Sequence, residues 1–502
     1  MERRDFLKIS MGTLIFTSVL SNELFAKAGD LKFSKAKGVI FVVADGFPLG
    51  VMKMFDEFME RKFREKANLT YLINNSKSRV LLQNTRSLSS VVTDSAPASV
   101  AWATGSKTAN RILSVLPDGR ELKTIFELAK QKGMSCGFVT TTRITHATPA
   151  AWYSHNSNRD NEDSIAVDLL NSNLDVAMGG GDKHFNPKKR KDGRDLYSEF
   201  EKKGWKVIKT REELTKLNST DRPILGVFNS SHISYFVDRV NDKNLGEKEP
   251  TLAEMTLIAL KRLARNPKGF VLQIEAGRID HACHANDAYG AMMDCYELDK
   301  TIGLLINFVE KNPDVLLIVT SDHGNSGFGI NGTGPEYSDS TEALMSYRNK
   351  ASFEYMIKKM KNQDLKTVKE IFETYTEHKI SNQEAEEIFK KLNGKKEFIS
   401  YDIWYEPEAT MGKILMASTY PSKGGESGIE KPAFLRRGNV GFTSTNHTAE
   451  DQLVIIYGKN ISKLELKNRI DNTELFSIIA KHLNIKYSNP KMTEEETKSY
   501  IK

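Results

Sequence analysis

Short, continuous apolar runs rich in Val, Ile and Phe recur along this chain, and each leads into polar residues. The run 38–44 ends at Asp45, and the run 315–320 leads to Asp322 and His323. Runs of this kind are typical of strands that are buried on both faces of a parallel sheet. Because such sheets collect their ligand-binding residues at the carboxyl ends of the strands, we expect the polar side chains that follow these runs to meet.

The runs alternate with helical patterns such as 122–132 and 252–265. Strand and helix in alternation predict an α/β fold, doubly wound, with a mostly parallel central sheet flanked by helices. A length of 502 residues is large for one domain, but an α/β core with insertions reaches this size.

The texture changes between about residues 338 and 439, where charged, helix-forming stretches such as 366–378 and 382–392 replace the strand pattern. A sheet pattern resumes at 452–457. We therefore predict a largely helical insertion at about 338–439 that forms a cap beside the mouth of the site. Residues 403–405 and 411–416 offer apolar side chains for docking it or for meeting a partner subunit. A short Gly-Ser linker in its place is expected to preserve activity on small substrates.

Composition limits the possible partners. The formal net charge of +7 is spread over 72 basic and 65 acidic residues, and no concentrated basic tail points to nucleic acid. The three cysteines, Cys136, Cys283 and Cys295, are too few for a disulfide scaffold.

The first 28 residues resemble an export signal. Arg3 and Arg4 precede an apolar stretch from Ile9 to Leu20, and a small-x-small cleavage site follows at Ala28. The paired arginines predict a signal peptide of the twin-arginine type, a mature domain over 29–502, and a periplasmic protein with no stable membrane span after cleavage. A general secretory signal or an uncleaved anchor is the alternative.

The stretch around Asp94-Ser95-Ala96 predicts a helix N-terminus. Thr93, Asp94 and Ser95 are capping residue types, Pro97 suits a first turn, and Gly105 is placed to end the helix. Backbone N–H groups and the helix dipole would favour an anion at Ser95. The alternative is that Ser95 only caps the helix.

Three places carry residue types that zinc prefers. Asp280 and His284 lie four positions apart, hence on one face of a helix, Asp322 and His323 directly follow a strand, and His447 precedes another. Each alone could equally be an ion pair or a buried histidine. Several such places at strand ends favour a metal site.

Taken together, these residues resemble the alkaline phosphatase family. The resemblance covers about residues 38–459 apart from the predicted insertion, in the family's order. It rests on the following stretches: 41–46 with Asp45-Gly46, 92–105 with Asp94-Ser95-Ala96, His146-Ala-Thr148-Pro-Ala, Glu275-Ala-Gly-Arg-Ile-Asp280-His281 with His284, Thr320 with Asp322-His323, and Asn446-His447-Thr448.

The resemblance implies a role for each matching residue. It implies a first zinc on Asp280, His284 and His447, a second zinc on Asp45, Asp322 and His323 beside the nucleophile Ser95, a magnesium on Asp45, Thr148 and Glu275, and a phosphate clamp at Arg159.

At two positions this sequence matches only some members of the family. His146 and His281 stand where some bacterial members have Asp and Lys, and the resemblance implies that they support the ligands from outside. They leave the magnesium affinity and the pH optimum open. Cys283 is close enough in sequence to ligate a metal, although a buried small residue is the simpler interpretation.

The sequence therefore predicts a phosphomonoesterase that works on small phosphate monoesters through a phosphoseryl intermediate, and the resemblance implies a homodimer. A related phosphodiesterase or sulfatase is one alternative, although the x-Pro-x-Arg that follows a sulfatase nucleophile is missing because Ser99 stands at the arginine position. A non-catalytic periplasmic phosphate-binding protein is the other.

Overall fold

The computed structural model describes residues 37–217, 221–394, 406–416, 437–459, 461 and 465–501. The predicted signal peptide at 1–28 and the apolar residues 403–405 lie outside the described residues.

Ten strands form one central sheet, in the order β14-β2-β13-β8-β1-β7-β3-β4-β6-β5. Nine of them run in one direction, and β13 is antiparallel to both of its neighbours. The predicted α/β fold with a mostly parallel sheet is confirmed. The strands are β1 (Gly38–Ala44), β2 (Ser78–Asn84), β3 (Ser135–Arg143), β4 (Val176–Gly180), β5 (Lys206–Ile208), β6 (Ile224–Val227), β7 (Phe270–Ala276), β8 (Val315–Thr320), β9 (Gly324–Asn325), β10 (Gly329–Ile330), β11 (Val440–Gly441), β12 (His447–Thr448), β13 (Gln452–Tyr457) and β14 (Arg469–Asp471).

Helices cover both faces of the sheet. The α-helices are Leu49–Phe58, Asn68–Asn74, Ser95–Thr104, Ile125–Gln131, Ala147–Ala150, Glu162–Asn171, Leu196–Lys202, Arg211–Thr215, Phe236–Asn241, Lys243–Lys248, Leu252–Leu263, Arg278–His284, Ala288–Lys311, Ser340–Met345, Phe353–Met360, Leu365–Thr376, Asn382–Asn393, Glu406–Met416, Thr473–His482 and Glu494–Thr497. A π-helix spans Met59–Phe63, and 3₁₀ turns span Asp182–His184 and Pro335–Tyr337.

Capping decides where the predicted helices begin. The pattern over 122–132 becomes the helix Ile125–Gln131, because Thr124 and Glu127 form a capping box that sets its first turn. Thr251 and Glu254 do the same for Leu252–Leu263.

Strand β1 is the centre of the sheet, and all seven of its residues are buried. Its side chains alternate between two hydrophobic cores. On one face, the ring of Phe41 lies 5.1 Å from that of Trp102 and 5.2 Å from that of Trp152. On the other face, Ile40 and Val42 belong to the core that the long helix Ala288–Lys311 covers.

The register of the strands aligns their carboxyl ends. Val43 of β1 is level with Glu275 of β7 and Thr320 of β8, and Glu275 is level with Thr140 of β3. Side chains that follow these four strands therefore meet at one edge of the sheet.

The segment 338–439 leaves and rejoins the core through a narrow neck. Strand β10 pairs with β11, and the Asn331 N–H donates to the Asn439 carbonyl at 2.8 Å just beyond them. Between these points the described residues form five α-helices and contribute no strand to the ten-stranded sheet. Among all described helices, none is both long enough and apolar enough to cross a membrane.

Candidate active site

Ser95 is the first residue of the helix Ser95–Thr104, and Asp94 is its N-cap. The Ala96 N–H donates to Asp94 Oδ1 at 2.7 Å, and Gly105 ends the helix in the left-handed conformation at φ 72°. The alternative in which Ser95 only caps the helix is therefore wrong, because Asp94 caps it. The side chain of Ser95 is 2% exposed, and its Oγ lies 3.3 Å from His323 Nε2.

One group of potential ligands comprises Asp280, His284 and His447. The helix Arg278–His284 presents the first two on one face, as their spacing predicts. Asp280 Oδ2 is 3.4 Å from His284 Nε2, and its Oδ1 is 3.6 Å from His447 Nε2. The backbone carbonyls of Thr445 and Thr93 accept from the Nδ1 atoms of His284 and His447, respectively.

These carbonyls fix the tautomers of both rings. With Nδ1 protonated, the two Nε2 atoms are lone-pair acceptors, and they face each other 3.0 Å apart. Burial and the neighbouring His323, whose ring stacks at 3.5 Å, lower the pKa of His447 to about 3. Both nitrogens and the Asp280 carboxylate could coordinate one cation, so this group fits a metal ion.

A second group comprises Asp45, Asp322 and His323, all fully buried. His323 Nε2 is 3.1 Å from Asp322 Oδ2 and 3.7 Å from Asp45 Oδ1. Gly46, at φ 57°, donates its N–H to Asp322 Oδ1 at 3.0 Å, and a Cβ there would clash with Asp280. Burial, followed by the charges of Asp322 and Asp280, raises the pKa of Asp45 well above its ordinary value.

A third group comprises Asp45, His146 and Glu275. Thr148 donates to Asp45 Oδ2 at 3.4 Å, and His146 Nδ1 is 3.8 Å from Glu275 Oε1. Sequence reasoning placed His146 outside the ligands, whereas the structure brings its Nδ1 within the same reach as the two carboxylates.

Arg159 reaches the site from a loop that a bridge between Leu113 and Asn156 anchors. Its Nη1 donates to Asp94 Oδ1 at 3.1 Å, and its Nη2 lies 3.1 Å from His146 Nε2. The predicted clamp therefore sits beside the N-terminus of the Ser95 helix.

His281 lies beside the third ligand group without belonging to it, since its ring packs 5.6 Å from that of His146. His281 Nδ1 lies 3.0 Å from Arg278 Nη1, and burial and this guanidinium lower the pKa of His281 well below its usual range. Cys283 is a buried free thiol in the hydrophobic core and belongs to none of the ligand groups among the described residues.

Sequence reasoning missed three residues that shape the site. Asn325 donates to Asp280 Oδ1 at 2.6 Å, and its place just after His323 was an available signal. Arg278 lies inside the stretch from Glu275 to Asp280 that contributes to the family resemblance, although the resemblance implied no role for it. His232 packs its ring 4.2 Å from that of His281, and no motif surrounds it in sequence.

The donor set fits divalent cations. Asp45 Oδ1, Asp322 Oδ2, Glu275 Oε1 and His146 Nδ1 are buried and have no hydrogen-bond partner among the described residues. Buried polar atoms normally have partners, and carboxylate oxygen with imidazole nitrogen is a set that zinc and magnesium use.

Comparisons with known proteins agree on one family. The family model described as alkaline phosphatase matches residues 36–485. Alkaline phosphatase 4 of Bacillus subtilis (strain 168) is 35% identical over 398 residues, covering 78% of this chain and 77% of the relative. The alkaline phosphatase of Schizosaccharomyces pombe is 30% identical over 475 residues, covering 91% and 82%. The crystal structure of Thermus thermophilus alkaline phosphatase is 36% identical, with a TM-score of 0.83 and coverage of 93% and 95%.

Proposed function

The chain belongs to the alkaline phosphatase family and is a phosphoric monoester hydrolase, and from this premise we propose that it acts through a phosphoseryl intermediate at Ser95 with two zinc ions and one magnesium ion. The observation that carries the proposal is the position of Ser95 Oγ, at a helix N-terminus and 3.3 Å from His323 Nε2. That atom borders a group of buried carboxylates with unmet hydrogen-bonding capacity.

The residues that would hold the ions fall into the three groups described above. Two groups combine imidazole nitrogen with carboxylate oxygen, which suits zinc, and Asp45, Thr148 and Glu275 offer oxygen, which suits magnesium. When bound, the ions supply positive charge that lowers the pKa of a hydroxyl and stabilises a phosphoryl group and its leaving oxygen.

Ser95 is the nucleophile of the proposed reaction. Its Oγ forms a bond to phosphorus while the ester oxygen–phosphorus bond breaks, and the proton that Ser95 gives up leaves, in net terms, with the alcohol. Water then attacks phosphorus, the Oγ–phosphorus bond breaks, and Ser95 regains a proton as inorganic phosphate leaves. Backbone N–H groups of the first helical turn favour the negative charge in both steps.

Arg159 orients the phosphoryl group. Its planar guanidinium can donate to two oxygens at once, and Asp94 holds that guanidinium beside Ser95. Since Asp94 also caps the helix, one side chain fixes both the nucleophile and the clamp.

A side-by-side assay of an aryl phosphate monoester, an aryl phosphate diester and an aryl sulfate tests the proposal. We expect the monoester to be hydrolysed fastest and acid quenching during turnover to leave a phosphoryl group on Ser95. A preference for the diester or the sulfate would assign the chain to a different activity of the superfamily. Phosphate binding without turnover of any ester would indicate a binding protein.

The proposal includes a periplasmic location, export by the twin-arginine route, and a homodimer. Residues 1–28 and the family resemblance support these three points. Fractionation of expressing cells with and without a functional twin-arginine translocase, and light scattering of the purified protein, are the tests.

A further inference from the structure

The helix Phe353–Met360 of the insertion begins with three consecutive residues that each bind the core. We call Ser352, Phe353 and Glu354 the clamp turn. Ser352 donates its N–H and its hydroxyl to the two carboxylate oxygens of Asp238, both at 2.7 Å. The Phe353 N–H donates to Asp287 Oδ2 at 2.9 Å. The Glu354 carboxylate accepts from Arg278 Nη2.

Two of these core partners flank the helix that holds Asp280 and His284. Arg278 is the first residue of that helix. Asp287 follows its end by three positions and caps the next helix by accepting from the Gly290 N–H at 2.9 Å. The clamp turn therefore holds the ligand helix, Arg278–His284, near both ends.

Arg278 transmits this contact into the site. Its side chain is 3% exposed, its guanidinium lies 3.7 Å over the ring of Tyr235, and Nη1 lies 3.0 Å from His281 Nδ1. The Glu354 carboxylate raises the pKa of Arg278 against the opposing effect of burial. A buried guanidinium that loses its carboxylate must find another partner or move toward solvent, and either movement displaces the start of the ligand helix.

We propose that Glu354 is a positioning residue that acts through Arg278 on Asp280 and His284, so that the insertion sets the metal affinity of the group Asp280, His284 and His447. The effect on metal affinity rests on the proposed function, because that function places a metal ion on this group. The contact between Glu354 and Arg278 and its effect on the ligand helix stand on geometry alone.

A purely structural role for Glu354 has a matched control on the same helix. Glu354 also binds Lys358, one turn further along, through its Oε1. Lys358→Ala removes this exposed pair and leaves the bond to Arg278 in place. A general weakening of the helix would affect Lys358→Ala and Glu354→Ala alike, whereas loss of the contact with Arg278 affects only the latter.

The experiment measures the rate at which zinc passes from the loaded protein to a chromogenic chelator. Changes that reorient ligands from outside their group typically cost 10- to 100-fold in metal affinity, and we expect Glu354→Ala to release zinc about tenfold faster than wild type. Glu354→Gln keeps an oxygen acceptor, so its rate of zinc release should fall between those of wild type and Glu354→Ala. Lys358→Ala should match wild type.

Hydrogen exchange of residues 278–284 in the metal-free protein is the second readout. We expect faster exchange in Glu354→Ala than in wild type and Lys358→Ala. If wild-type protein binds no zinc, the proposed metal site is wrong. Hydrogen exchange alone then shows whether Glu354 holds the ligand helix in place. Zinc release and exchange in Glu354→Ala equal to those of Lys358→Ala would overturn the inference. If Glu354→Ala does not fold, the same comparison is made with Glu354→Gln.

Discussion

Buried carboxylates lie on two sides of the ligand helix, and their surroundings differ. On the site side, Asp45, Asp322 and Glu275 each have one oxygen without a hydrogen-bond partner among the described residues. On the insertion side, both oxygens of Asp238 and both oxygens of Asp287 accept hydrogen bonds. Burial is common to both groups, so unmet hydrogen-bonding capacity is what distinguishes a place for cations.

One carboxyl on each side, Asp45 and Asp287, has a raised pKa, and the causes differ. Burial and neighbouring carboxylates raise the pKa of Asp45. Burial alone raises the pKa of Asp287 to about 6, and the N–H groups of Gly290 and Phe353 oppose it. A cation would therefore stabilise the buried negative charge on the site side, whereas backbone N–H groups stabilise it at Asp287.

Metal removal should have the largest effect, and it should act through the carboxylates on the site side. A chelator should abolish turnover, and zinc with magnesium should restore it, because the site carboxylates lose the only counter-charge that the proposal gives them. Metal analysis and turnover before and after dialysis provide the measurement. Full activity in metal-free protein would show that the buried carboxylates of the site need no cation for turnover.

Ser95→Ala should lower turnover of an aryl phosphate by at least about a thousandfold, the scale of losing an essential catalytic group. Zinc content should stay at the wild-type level, since every proposed ligand remains. Steady-state kinetics and metal analysis of the same preparation check both statements. Wild-type turnover in this variant would exclude Ser95 as the nucleophile.

Arg159→Ala should weaken inhibition by inorganic phosphate roughly 10- to 150-fold, because hydrogen bonds to charged groups contribute about 1.5–3 kcal/mol. Turnover should fall less, and zinc content should not change. Inhibition constants from initial rates are the measurement. Lys189→Ala, which removes an exposed ion pair with Asp182, is a suitable control and should leave phosphate inhibition unchanged. Unaltered inhibition in Arg159→Ala would mean that another residue is the clamp.

The smallest effect concerns pH and the insertion side. Burial raises the pKa of Asp238 to about 7, against about 3.9 in an unfolded chain. The folded protein then binds more protons between these values, so the free energy of unfolding should fall as pH rises from about 4 to about 7 and level off above. At about 1.36 kcal/mol per pKa unit the contribution is at most about 4 kcal/mol.

Asp238→Asn removes this titration and should reduce the pH dependence of urea unfolding between pH 5 and 8. Asp364→Asn is the matched control, since Asp364 is an exposed helix cap in the insertion and its pKa is lowered by the Thr367 side chain and N–H. It should leave the slope above pH 5 unchanged. An unchanged slope in Asp238→Asn would show that this carboxyl is not the group responsible.

The sequence was sufficient for the strands that carry the site and for the edge where they end. Apolar runs with β-branched residues identify buried strands whatever their partners, which is why β1, β8 and β13 were predicted with their observed limits. Asp280 and His284 followed from helical spacing. His232 did not, because only the folded chain brings it to His281.

For the insertion, sequence composition predicted the helices but not their contacts with the core. Its charged helices were predicted as a cap that a linker could replace. Buried contacts now argue for a different outcome of that replacement, since it would remove the clamp turn from Asp238, Asp287 and Arg278. Such contacts depend on pairings 66 to 114 positions apart, which periodicity within a segment does not encode.

The stacked rings of His323 and His447 carry a consequence for the order of events during synthesis. The two rings lie 3.5 Å apart, yet the ribosome makes them 124 residues apart, with the whole insertion in between. A growing chain that has just completed β8 can hold Asp45, Asp280 and His284 but lacks His447. The group Asp280, His284 and His447 can therefore be completed only after the insertion has been synthesised and the chain has returned through its neck, so a metal ion held by this group binds after the other two groups are already complete in sequence.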